Sequence, residues 1–140
     1  MSDYDTDILT WSERQAALLR RIAAGERIND EVDWPNVVEE IESVGRSDLN
    51  AVESWLIQAF VHDLKAEAWP LSRDVPRWRA EARLFRRQAK RRFTESMRQR
   101  IDVAGLYADA LAGLPDKMDD QEPLAVPQVC PVTLDELLAE

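Results

Sequence analysis

Three glutamates within four residues, Glu39, Glu40 and Glu42, and a single histidine, His62, are the side chains of this sequence best suited to chemistry. Carboxylates with an imidazole form the ligand set of zinc and di-metal sites in helical proteins, and the same groups can move protons in a hydrolytic site. The spacing argues against such a site. A di-metal motif sets Glu and His three residues apart on one inward face. On a continuous helix His62 instead lies about 33 Å from Glu40, at about 1.5 Å per residue, and only a hairpin at Gly45 would join them. His62 is therefore expected to be a hydrogen-bonded structural residue, with no metal and no cofactor. Cys130 stands between Pro127 and Pro131 with no histidine nearby, and there is no glycine-rich phosphate loop, so no nucleophilic or phosphate-binding chemistry is expected. A buried, inert cysteine anchoring the end of the chain is the simpler reading.

The third constellation is cationic. Arg79, Arg83, Arg86, Arg87, Lys90 and Arg91 spread over one arc of a helical pattern whose other face is Trp78, Ala82, Phe85, Ala89 and Phe93. Clustered arginines beside aromatics can bind phosphates and stack on bases, which makes these residues a candidate anion-binding surface. The formal net charge of −9 opposes a polyanion at long range, so nucleic acid is not the expected partner. The charge is also unevenly divided. Residues 1–76 carry 16 acidic and 7 basic side chains, residues 77–100 carry 2 and 10, and residues 101–140 carry 9 and 1. Arginine supplies 15 of the 18 basic residues, and its fork pairs with carboxylates in two places at once, so internal pairing is the first expectation.

The elements that must position these groups are helical. From Pro35 to Trp69 the apolar residues Val38, Ile41, Leu49, Val52, Leu56 and Phe60 keep to one arc for about six turns, which predicts one long helix over 35–69. Gly45 falls within that arc without shifting its phase, so the helix should run through it, with the glycine marking close approach by a neighbour. Before it, Ile8, Trp11, Gln15, Leu18, Leu19 and Ile22 predict a first helix over 6–24, and Asp33 with Pro35 supplies a start signal for the long one. A basic helix and a following helix fill 76–112. The segment 113–140 is expected to be an extended, proline-rich tail ending in a short helix opened by Thr133 and Glu136. No stretch alternates as a strand would, so the fold class is all-α: a single-domain helical bundle, 1–140, around one long central helix.

One domain also fits 140 residues of ordinary apolar content. No apolar run approaches the roughly 18 residues of a membrane span, the start MSDYDTD is acidic, and one cysteine suits a reducing compartment; a cytoplasmic protein without a membrane partner is expected.

The residues Tyr4, Asp5, Asp7 and Trp11, then Asn36 to Glu42 with Val44 and Gly45, then His62, Leu64 and Lys65, then Trp78 and Arg79, and last Cys130 and Pro131, resemble a bacterial family. It is domain of unknown function number 29, frequent in cyanobacteria and proteobacteria. The resemblance covers nearly the whole chain, and the Glu-Glu-Ile-Glu block and the late Cys-Pro are its most specific marks. Asp63 and Ala66 depart from it, standing where the family usually has leucine and often tryptophan. The resemblance implies an all-helical single domain and no particular mechanism.

The function expected from all this is a protein-interaction or adaptor module without catalytic activity, whose partner is an unknown protein. The alternatives are a metal-binding or hydrolytic enzyme using Glu39–Glu42 and His62, and nucleic-acid binding through residues 77–100. Trp55, Ile57 and Val61 flank the main stripe and suggest a homodimer. Glu42 and Asp63 fall on or beside the stripe, so each should have a partner; for Glu42 that partner is expected to be an arginine or tryptophan from another helix.

Overall fold

The structure, a computed structural model, describes residues 3–139. Its elements are the helices α1 (Asp3–Thr6), α2 (Ile8–Ala23), α3 (Trp34–Ala68), α4 (Val75–Arg92), α5 (Val103–Ala112) and α6 (Leu134–Leu137), with short 3-10 turns at Asn29–Glu31 and Glu95–Met97. Among the described residues the only β pairing is an isolated bridge between Met118 and Gln121. No helix among them is long and apolar enough to cross a membrane. The chain divides into two compact units, one through Arg46 and the other from Ser47.

In the first unit, the helix expected over 6–24 is interrupted at Asp7, whose carboxylate caps α2 by accepting from the Thr10 backbone N–H (3.0 Å) and hydroxyl (2.7 Å). Local side-chain capping wins over continuous helix here because it satisfies backbone donors that a helix start leaves unpaired. Trp11, Val32 and Val37 form the core, with Tyr4, Leu18, Leu19 and Ile22 against them. Two polar links close it. Trp11 Nε1 donates to Asp33 (3.0 Å), and the Asp33 backbone N–H donates to the buried Gln15 side chain (2.8 Å). Ile8, placed on the core stripe by its spacing, is instead 51% exposed.

The long helix is unbroken from Trp34 to Ala68. Gly45 therefore makes no hairpin, and nothing lies within 4 Å of the point its Cβ would occupy. The close neighbour expected there is absent from the described chain. The stripe also divides: Val52, Leu56 and Phe60 are buried, whereas Val38 and Ile41 are 49% and 68% exposed. Periodicity identifies a helix face; it does not say how far along the helix a neighbour covers it.

In the second unit that neighbour exists. Val52, Leu56, Phe60 and Leu64 pack with Ala89 of α4, Leu106, Tyr107 and Ala110 of α5, and Leu134 and Leu137 of α6. Trp55, Ile57 and Val61 are half-buried against the same cluster. Beyond Arg92, Phe93 turns to extended backbone, so the basic helix and α5 are separate helices. Thr133 and Glu136 form the reciprocal capping box at α6. The residues between α5 and α6 are tied to the helices by Leu124 N–H to Ala68 O (2.8 Å), Trp69 Nε1 to Gln121 O (2.9 Å) and Tyr107 hydroxyl to Pro127 O (2.5 Å).

Candidate interaction surface

α4 has two working sides because its apolar residues occupy only one arc. Trp78, Ala82 and Ala89 are buried, with Phe85 beside them half-buried. Along one edge of that arc, Arg79 and Arg86 lie two turns apart and both reach Asp63 of α3, at 2.8 and 2.7 Å. Arg86 is only 15% exposed at its side chain and Asp63 29%, so this clamp sits in partial shelter from water. His62 neighbours it. Its Nδ1 lies 2.7 Å from the Gln58 carbonyl, its Nε2 2.8 Å from Glu81, and its ring packs on Phe85 at 5.3 Å between centroids. Both partners are acceptors, so only the doubly protonated ring donates to both. Lys65 Nζ lies 6.0 Å from the centre of the buried Trp78 ring.

The remaining candidates are placed elsewhere. Glu39 pairs with Arg46 at 2.6 Å, and Glu40 accepts from the Tyr4 hydroxyl at 2.7 Å, a bond that pushes the Tyr4 pKa upward. Glu42 is exposed and has no hydrogen-bond or ion-pair partner among the described residues, which corrects the expectation of an arginine or tryptophan from another helix. The cross-helix carboxylate is Asp63. At residue 42 the stripe faces solvent, whereas at residue 63 α4 covers it; that difference decides which carboxylate has to be paired. Cys130 is half-buried, with Sγ 3.3 Å from the Val132 carbonyl. Among the described residues no three of His, Cys, Asp and Glu converge as metal donors would, and both His62 nitrogens are engaged.

The outward side of α4 is different. Arg83, Arg87 and Arg91, each four residues apart, are exposed and form no ion pair among the described residues. With Lys90, and with Ala80 and Leu84 between them, they line one open surface, where Leu84 is 55% exposed. Like charges at this spacing repel by a few tenths of a kcal/mol per pair. Lys90, Arg91 and Arg92 have a structural reason to be there, since cations in a last turn complement the helix dipole. Arg83 lies about two turns before that region, where the dipole effect does not extend, and Arg87 stands just outside it. The expectation of internal pairing thus holds for Arg79 and Arg86 and fails for Arg83 and Arg87. Sequence reasoning placed Leu84 in no role, although its position off the Trp78 face and among arginines was the available signal.

The model of the family described as domain of unknown function DUF29 matches residues 4–140. The chain is also similar to an alpha-helical protein of unknown function from Rhodospirillum rubrum, known from its crystal structure. The identity is 25% and the TM-score 0.66, and the match covers 100% of this chain and 91% of that one. No curated protein matches.

Proposed function

The chain belongs to the DUF29 family, and on that premise we propose that it is a non-catalytic interaction module of the bacterial cytoplasm whose working surface is the outward face of α4. The observation that carries this reading is the run Arg83, Arg87 and Arg91, without an ion pair among the described residues, around exposed Leu84, in a chain whose other arginines of the same helix are engaged by its own carboxylates. Exposed cations next to an apolar side chain fit an acidic, amphipathic protein segment, which offers both carboxylates and an apolar ridge. The last segment, 113–140, is in this reading an extended arm that completes the second unit rather than a second binding element.

Calorimetric titration of the full-length protein with a designed acidic amphipathic helical peptide tests this. Binding that weakens with salt and is lost in the double variant Arg83→Glu, Arg87→Glu is the expected result. The same arginines could contact phosphates, so random duplex DNA is titrated in parallel. Micromolar DNA affinity with a steep salt slope would move the function to nucleic-acid binding. Stoichiometric metal in protein purified without an affinity tag would count against a non-catalytic module.

A further inference from the structure

The cationic face of α4 has a counterpart within the same sequence. On α3, Val38, Ile41 and Val44 form an exposed apolar ridge, bounded on one side by Glu42, which has no partner among the described residues, and on the other by Glu40, which accepts from Tyr4; Glu39 points to the opposite face and pairs with Arg46. That face has an apolar centre with a carboxylate on each side, while on the α4 face Ala80 and Leu84 are interleaved with Arg83, Arg87 and Arg91. We propose that the acidic partner of α4 is a second copy of this chain, and that the α3 ridge of one copy docks on the α4 face of another. This rests on the reading of α4 as an interaction surface and names its occupant.

Three observations favour this occupant. The first is charge complementarity: Glu42 has no partner among the described residues, nor do Arg83, Arg87 and Arg91, and the acidic and basic segments of the chain are complementary in sign. The second is length. At about 1.5 Å per residue, the ridge from Val38 to Val44 spans about 9 Å, which fits within the roughly 16 Å from Ala80 to Arg91. The third is Gly45, which borders the ridge in open space and weakens α3 with no contact among the described residues to explain it. A missing side chain beside the ridge lets another helix approach there, and Ala80 presents a similarly small side chain on the opposite face.

Two short helix faces bury less than the roughly 1,200 Å² at the lower end of stable interfaces, so the association is weak and concentration-dependent. Light scattering and sedimentation of the full-length protein test it. The apparent mass should rise above 16.1 kDa with concentration at low salt. It should return to the monomer value at about 1 M salt, where screening acts over about 3 Å. The variant Arg83→Glu, Arg87→Glu should be monomeric, and so should Glu42→Arg, each with an unchanged helical circular dichroism spectrum. Mixing the two variants should restore association, because the unaltered α3 ridge of the first then meets the unaltered α4 face of the second. A monomer at every concentration overturns the proposal. So does association that survives Arg83→Glu, Arg87→Glu, which would mean that ridge packs on ridge, and so does a mixture that stays monomeric. Failure here with intact binding of the acidic peptide would leave α4 as an interaction surface for a different protein; loss of both would remove that reading as well.

Discussion

Asp33 is the residue on which the first unit converges. Its carboxylate accepts from Asn36 and from the Trp11 indole, and these two hydrogen bonds, in that order, hold its pKa below the ordinary aspartate range. A carboxyl group depressed on folding contributes stability that is complete above its unfolded value, about 4, and is lost as the pH falls through the lower folded value. Acid unfolding followed by tryptophan fluorescence should therefore show this loss below about pH 4 in the wild type and lack it in Asp33→Asn. Asp63 plays the corresponding part between α3 and α4. Asp63→Asn removes the charge that two arginines share and should destabilise the fold by about 1–3 kcal/mol in chemical denaturation. Glu42→Gln, by contrast, should leave the denaturation midpoint of dilute protein unchanged, since Glu42 is exposed and partnerless among the described residues.

Among the elements, α3 shows that one helix can carry two kinds of surface in a single phase. In its second half Leu56 is fully buried, and Leu56→Ala should cost about 2–5 kcal/mol through lost burial and the cavity left behind. In its first half the same arc faces solvent at Val38 and Ile41, and Gly45 has open space around it. Gly45→Ala should therefore stabilise dilute protein, by up to about 1 kcal/mol, because the methyl group meets nothing and the unfolded chain loses freedom. Thermal melting at low concentration reads this directly. A melting temperature lowered by the alanine would place a neighbour at Gly45 within the same chain.

Over the whole molecule, the division of charge into acidic, basic and acidic segments has two consequences that the sequence alone does not separate. Part of the basic segment is spent internally, on Asp63, on Asp48 through Arg92, and on Glu81 and Asp74 through Arg77. Arg98 likewise pairs with Glu95 and Asp135, whereas Arg83, Arg87 and Arg91 are exposed without an ion pair among the described residues. Arg79→Ala with Arg86→Ala should therefore lower the melting temperature, whereas Arg83→Ala with Arg87→Ala should leave it nearly unchanged while weakening any acidic partner. Equal destabilisation by both pairs, measured by differential scanning calorimetry at low protein concentration, would mean that the outward arginines are structural too.

The sequence by itself determined what depends on neighbours along the chain. The all-helical class, the continuous α3, the capping box at Thr133 and Glu136, and the buried Trp11 and Trp78 all follow from period, cap chemistry and side-chain size, which act over three or four residues. Tertiary structure alone decided which parts of each face are covered. Val38 and Ile41 share their arc with Leu56 and yet stay in water; Glu42 and Asp63 both fall on or beside the stripe and only Asp63 meets arginines. The reason is that periodicity fixes the direction in which a side chain points. What lies in that direction is set by helices distant in sequence, and no local pattern encodes where those helices end.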